Sequence, residues 1–208
     1  MKRILVTAFE PFGGSARNSS LDTLRSLPER IADAEILKAE MPVEYAGAGE
    51  ALARILGTEP GISAVVCLGQ AEGRGSVTPE VIAVNLRNGS IPDNAGVRCS
   101  FDPCEAGGPD GIFSTLPVRK IAERLNGKKI PAAPSFSAGA YVCNSLMYAV
   151  LRLTKERGIP AGFIHLPLSS EIALAEGKAS RTLSLPQSVL TEGIAEALAV
   201  IAEEIGEK

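Results

Sequence analysis

The chain has little of what metal and membrane chemistry require. Histidine occurs once in 208 residues, and none of the four cysteines (Cys67, Cys99, Cys104 and Cys143) forms a CxxC pair. That ligand supply disfavours zinc, and no metal is expected. No apolar run approaches the ~20 residues of a membrane-crossing helix. The opening MKRILVTAFE is apolar only from Ile4 to Phe9, before Glu10 and Pro11. That is too short for a signal-peptide core, so a buried first strand in a cytoplasmic protein is expected. Positive charge is not in excess: the net charge is −3 and the pI about 5.4, which argues against nucleic acid or anionic membrane as partner. There is no internal repeat and no low-complexity tract. FEPFGGS lacks the spacing of a P-loop or a GxGxxG fingerprint, so a phosphate or nucleotide site there is disfavoured.

What is present reads as one layered domain over residues 1–208. Hydrophobic residues make up 45% and charged ones 22%, and a chain of this length buries roughly 70% of its unfolded surface without staples. Apolar runs at 3–9, 34–43, 62–69 and 161–168 predict strands, and the alternation over 80–86 predicts another. Helices are expected from a cap at Asn18 or Ser19 through Leu27, over 44–56, over 116–126 with Pro117 at its start, from about Ala140 to Glu156 with Gly158 as its stop, and from Pro186 to the C-terminal region. Strands alternating with helices imply an α/β fold, a single α/β/α domain with a mainly parallel, mixed sheet. Residues 88–115, rich in Gly, Pro, Asp and Asn, break the pattern and read as a functional loop or an interaction arm.

Three residues invite a chemical reading. Cys143, in SAGAYVCNSLMYAVL, falls in the first turn of a helix, where unpaired N–H groups and the helix dipole favour a thiolate. Cys67, in ISAVVCLG, reads as a strand core residue. A nucleophile needs a proton donor for the leaving amine, and His165 in GFIHLP is the only imidazole. It lies near the C-terminal end of a predicted strand, where catalytic groups gather in α/β sheets. Glu80, opening a mostly apolar strand, is a candidate third member. Each alone is as well explained by burial or ordinary exposure.

Together with their surroundings these residues resemble the pyroglutamyl peptidase type I (pyrrolidone-carboxylate peptidase) family of cysteine peptidases. The matching segments are VTAFEPFGG (6–14), LGQAEGRGSVTPEVIAVN (68–85), IPDNAG (91–96), SAGAYVCNSLMY (137–148) and GFIHLPL (162–168). The resemblance implies removal of N-terminal pyroglutamate from peptides, with Cys143 as nucleophile, His165 as general base and Glu80 as its acidic partner. It implies Phe9, Phe12 and Tyr141 as apolar walls for the lactam, with Gln70 and Val142 beside it. It also implies a homo-oligomer, usually a tetramer, and no cofactor.

Two positions depart from the family pattern. Many members have Arg after the triad glutamate and before IPDN, where this chain has Val81 and Ser90. Their absence keeps open a catalytically weakened homologue that binds N-terminally blocked peptides. Arg74 in EGRGS and Arg87 in NLRNG are the candidate substitutes.

Overall fold

A computed structural model describes residues 1–206; the last two residues of the expected 1–208 unit lie outside the described residues. Along the chain, β1 (Lys2–Phe9) is followed by α1 (Ser19–Ser26), a two-residue β2 (Arg30–Ile31), β3 (Ala34–Met41), α2 (Gly47–Thr58) and β4 (Ala64–Gln70). Next come β5 (Thr78–Pro79), β6 (Ile82–Val84), β7 (Gly111–Phe113), α3 (Val118–Gly127), α4 (Val142–Lys155) and β8 (Ala161–Leu166). The remainder adds β9 (Leu168–Ser169), α5 (Ser170–Ala175), β10 (Ser184–Leu185) and α6 (Gln187–Gly206).

The main sheet has the order β2-β3-β1-β4-β8-β5. β3, β1, β4 and β8 run parallel, while β2 and β5 pair antiparallel at the two edges. The mixed, mainly parallel sheet read from the sequence is therefore found. Its inner strands are buried on both faces, which is why RILVTAF and AVVCLGQ read as continuous apolar runs rather than alternating ones. One face, with Ile4, Val6, Val66, Leu68, Ile164 and Leu166, packs against α1, α3 and α6. The other, with Leu5, Phe9, Val65, Cys67 and Phe163, packs against α2 and α4. The result is three α/β/α layers.

Side-chain period 2 then decides what faces α4. Phe163 is on the α4 side, so His165, two residues on in β8, is there too. Asn18 is the cap of α1, its Oδ1 accepting from Ser20 N at 3.0 Å, and Gly158, at φ +62°, follows the end of α4 as expected.

The expected strand over 80–86 is not continuous. β5 joins the main sheet beside β8, whereas β6 leaves it and forms a separate ribbon with β7. Between them Val81 N donates to Ser135 O and Ser114 N donates to Val81 O, so the chain changes partners just after the β5 edge of the main sheet. Asn144 holds β6 to α4: its Oδ1 accepts from Val84 N at 2.9 Å and its Nδ2 donates to Val84 O at 2.8 Å and Leu86 O at 2.9 Å. The stretch is a run of four apolar residues, Val81 to Val84, rather than an alternation, and its buried member Ala83 packs on the α4 side rather than in the main sheet. Residues 88–115 are irregular apart from β7 and an isolated bridge between Arg87 and Asp102.

Candidate active site

The parallel strands β4 and β8 bring the site together at their C-terminal ends. Gly69 and His165 are register partners, and Thr78 of β5 pairs with His165 from the other side. Glu80 continues that edge, its N–H donating to Phe163 O at 2.9 Å. Its carboxylate is fully buried, and Oε1 lies 2.7 Å from His165 Nδ1. A carboxylate at that nitrogen keeps the ring proton on Nδ1 and leaves the lone pair on Nε2. Glu80 and His165 are thus joined as the sequence suggested.

Cys143 enters from α4. Its Sγ stands 3.2 Å from where a Cβ on Gly69 would be, beside the Phe163 ring, which would stand 2.7 Å from the same point. The Phe163 and His165 rings lie 4.7 Å apart between centroids. Thiol, ring and carboxylate therefore share one face of the sheet, although no hydrogen bond joins the sulfur to the imidazole among the described residues. α4 begins after Tyr141 with no side-chain cap and no acid in its first turn, which leaves backbone N–H groups open beside the thiol.

The electrostatics correct one expectation. Helix position was expected to favour a thiolate at Cys143, but burial pushes this thiol up to about 12, and the charge of Glu80 acts in the same direction. Arg74 and the backbone oppose that without prevailing. Although the residue keeps some exposure, its sulfur sits between an apolar ring and the sheet, where a charge is poorly solvated. Burial likewise pulls the His165 imidazole below its ordinary value, Glu80 pushes it back and Arg74 adds to the lowering. Glu80 is opposed by burial, yet the hydrogen bond and charge of His165, with Ser135 and Arg74, hold its carboxyl below the usual range. Ser135 acts there through proximity: its hydroxyl donates to Ser137 O at 3.2 Å, and Glu80 Oε2 has no hydrogen-bond partner. Burial thus disfavours charge on both the thiol and the imidazole, while the contact with His165 favours the charged form of Glu80.

A small apolar cavity of about 10 Å³, room for about one water, adjoins the thiol and is lined by Phe9, Phe12, Val43, Gln70, Tyr141 and Val142. All five residues expected around a lactam meet here. Phe12 and Tyr141 stand 6.3 Å apart between ring centroids, and Tyr45, unremarked in the sequence, packs edge-on to Tyr141 at 5.5 Å. Gln70 Oε1 accepts from Ser19 N at 2.8 Å, which turns its amide NH₂ away from that partner.

Two of the sequence segments turn out to brace each other. Asn94 Nδ2 donates to Glu10 Oε1 at 2.8 Å and Pro11 O at 3.0 Å, while Tyr141 OH donates to Pro92 O at 2.9 Å. Glu10, Asp93 and Asn94 were not singled out from the sequence; polar residues in IPDN and FEPFGG were the available signal. Of the two candidate arginines, Arg74 reaches Glu80 Oε1 at 2.7 Å, whereas Arg87 donates to Cys104 O at 3.2 Å within the long loop. Val81 and Ser90 bring no cation.

Comparison with known proteins agrees with this geometry. The family model described as pyroglutamyl peptidase matches residues 2–204. The pyrrolidone-carboxylate peptidase of Thermococcus onnurineus is 43% identical over 184 residues, 87% of this chain and 91% of that protein. That of Thermococcus kodakarensis is 38% identical over 98% of this chain and 97% of its own. Among solved structures, Bacillus amyloliquefaciens pyroglutamyl peptidase I superposes with a TM-score of 0.93 at 31% identity, covering 99% of this chain and 98% of that one. The pyrrolidone carboxyl peptidase of Thermococcus litoralis gives 0.93 at 33%, covering 100% and 96%.

Proposed function

The chain belongs to the pyroglutamyl peptidase family, and from that premise we propose that Cys143, His165 and Glu80 are its nucleophile, general base and acidic partner. It is a cysteine exopeptidase that removes an N-terminal pyroglutamyl residue from a peptide. The observation that carries the assignment is the 2.7 Å contact between buried Glu80 and His165 Nδ1 on the face that holds Cys143.

Because burial disfavours charge on both groups, the thiol is deprotonated as it attacks. Its proton passes to His165 Nε2 while sulfur bonds to the pyroglutamyl carbonyl carbon. The open N–H groups at the start of α4 receive the oxyanion. The imidazolium then gives its proton to the departing amine as the C–N bond breaks. Water, deprotonated by His165, hydrolyses the thioester and frees 5-oxoproline. No step calls on a metal or organic cofactor.

Specificity is assigned to the cavity beside the thiol. Phe9, Phe12, Tyr141 and Val142 form an apolar enclosure for a flat neutral ring, and the Gln70 NH₂ donates to the lactam carbonyl. A free N-terminus would carry an ammonium into that enclosure without an anion to pair it, a costly burial. A cavity with room for about one water must widen to admit the ring, and Phe12, half-buried next to Gly13 and Gly14 at φ +63° and +83°, is the wall that moves.

The whole described chain is read as one catalytic domain, because helices from both its ends cover the same sheet. A homotetramer is proposed on the exposure of Phe101 (75%) and Phe113 (67%) in the 88–115 segment, apolar area that suits a second copy. A cytoplasmic setting suits four unpaired cysteines, and no helix among the described residues is long and apolar enough to cross a membrane. The test of the reaction is incubation with a fluorogenic pyroglutamyl amide beside its prolyl and glutaminyl analogues. Release from the first alone is expected; binding without release would overturn the reading.

A further inference from the structure

Arg74 is bound to both halves of the proposed machinery at once. Its Nη1 donates to Glu80 Oε1 at 2.7 Å and also to Thr78 Oγ1, and its Nη2 donates to Ser137 O at 2.9 Å. Glu80 Oε1 is the same atom that meets His165 Nδ1. Thr78 is the register partner of His165 and donates to its carbonyl at 3.4 Å. Ser137 opens the SAGAY stretch that leads into α4 and Cys143. One guanidinium, with 26% of its side chain exposed, therefore ties the acid, the strand beside the base and the nucleophile's loop.

We propose that Arg74 is a positioning residue for the hydrolysis: by sharing one carboxylate oxygen with the imidazole and holding Ser137, it fixes base and nucleophile in one frame and makes the imidazolium a readier proton donor to the departing amine. The proposal rests on the Cys143–His165–Glu80 assignment. Its physical basis is competition at a single oxygen. Each strong donor that Oε1 accepts weakens its hold on the other, and a cation near the ring opposes a second positive charge there. The ionisable groups that act on the ring are Glu80 beyond β5 and Arg74 from the β4–β5 loop, and the Cys143 thiol of α4 lies on the same face. Burial lowers the imidazole's affinity for a proton first, Glu80 restores part of it, and Arg74 lowers it again. A lysine would bring the charge without the planar fork that spans Glu80 and Ser137 together.

The consequence falls on the second half of acylation. An alkyl amine is a strong base and leaves the tetrahedral intermediate only with a proton from Nε2, whereas an aryl amine such as an aminocoumarin leaves with less help. A cation that sharpens the imidazolium as an acid therefore serves peptides more than aryl amides.

The experiment compares wild type, Arg74→Gln and Arg74→Lys, each checked for its fold by circular dichroism. The single imidazole of the chain is titrated by NMR, and kcat/KM is followed against pH for a pyroglutamyl dipeptide and a pyroglutamyl aminocoumarin amide. In Arg74→Gln the imidazole is expected to titrate at higher pH and the acid limb of kcat/KM to move upward with it. The loss on the dipeptide should exceed that on the coumarin amide by about tenfold or more, within the range that general acid catalysis supplies. Arg74→Lys should titrate close to wild type yet turn over the dipeptide more slowly, because Ser137 is released. An imidazole titration unmoved in folded Arg74→Gln, or equal losses on the two substrates, overturns the proposal. Should Arg74→Gln not fold, Arg74→Lys decides: dipeptide turnover at the wild-type rate, or a displaced titration, overturns it. Failure of the triad itself reads differently, as retained activity in Cys143→Ala or His165→Gln.

Discussion

The ring of Phe163, with the sulfur of Cys143 beside it, crowds the space that a side chain on Gly69 would take. A Cβ built there would stand 3.2 Å from Sγ and 2.7 and 2.9 Å from Cζ and Cε1 of Phe163, a ring with no exposure. Since Gly69 is the register partner of His165, its bareness lets the thiol sit in the row next to the imidazole. Gly69→Ala should therefore push sulfur and ring apart, with overpacking that costs about 1–3 kcal/mol. We expect kcat/KM to fall more than tenfold and the thermal midpoint to drop. Gly57→Ala, on the exposed side of α2 with nothing within 4 Å, is the control: it should keep full activity and gain roughly 0.5–1 kcal/mol. Normal activity in Gly69→Ala would show that the thiol does not need that space.

Cys143→Ala and Cys143→Ser should abolish hydrolysis, while Cys67→Ala, in the packed face of β4, should lose stability but keep catalysis. A thiol pushed up to about 12 is almost wholly protonated at neutral pH. Alkylation of Cys143 by iodoacetamide should be slow near neutrality and climb through the alkaline range without a plateau, since the thiolate is the reactive form. An alkylation plateau below neutral pH would reveal a preformed thiolate–imidazolium pair and a different resting state.

Much of this was legible in the sequence, for physical reasons that differ by element. β1, β4 and β8 could be read because strands buried on both faces are apolar throughout. Cys143, His165 and Glu80 were brought together in the sequence only by the family resemblance of the motifs around them, since each alone is as well explained by burial or exposure. The break at Glu80 could not be read, since the apolar run 81–84 reads the same whether it rests in a sheet or on α4. Arg74 could be named but not placed, because nothing local to EGRGS tells which way a loop arginine reaches. The upward push on the Cys143 thiol could not be read for the same reason: helix position is local, whereas the burial behind that push comes from Phe163 and Gly69 on other strands.

The pH range of stability follows from the same groups. His165 is held below its ordinary value of 6.5, so as pH falls below 6.5 the unfolded chain binds a proton that the folded chain refuses, and stability declines. Glu80, also lowered, extends that loss as pH falls below its ordinary value of 4.5. Cys67 and Cys143, each raised from 9.0 to about 12, act at the other end: stability is lost as pH rises from 9 towards 12. Urea denaturation across pH should show a dome with these flanks. His165→Gln should flatten the slope just below pH 6.5, and an unchanged slope in that variant would mean the imidazole titrates freely in the folded protein.

The bracing of the lactam cavity gives a final test, one that separates substrate binding from chemistry. Asn94 reaches across from IPDNAG to hold Glu10 and the carbonyl of Pro11, and Glu10 Oε1 in turn accepts from Val43 N at 3.1 Å. These bonds fix the base of the loop that carries Phe12, yet none of them touches Cys143, His165 or Glu80. Asn94→Ala removes two hydrogen bonds at an exposed position, where each is worth about 0.5–1.5 kcal/mol. The loop should sample more conformations, and the ordering lost in the free enzyme must be supplied when the ring binds. KM for a pyroglutamyl amide should therefore rise about tenfold, while kcat changes by less than about threefold, since uniform binding has been lost rather than transition-state contacts. Asn94→Asp is the sharper variant: it keeps the shape but sets a second carboxylate against Glu10, so it should raise KM further, and added salt should relieve part of that rise. Were kcat to fall instead with KM unmoved, the brace would be acting on the reacting groups, and the separation between cavity and triad drawn from the geometry would have to be given up.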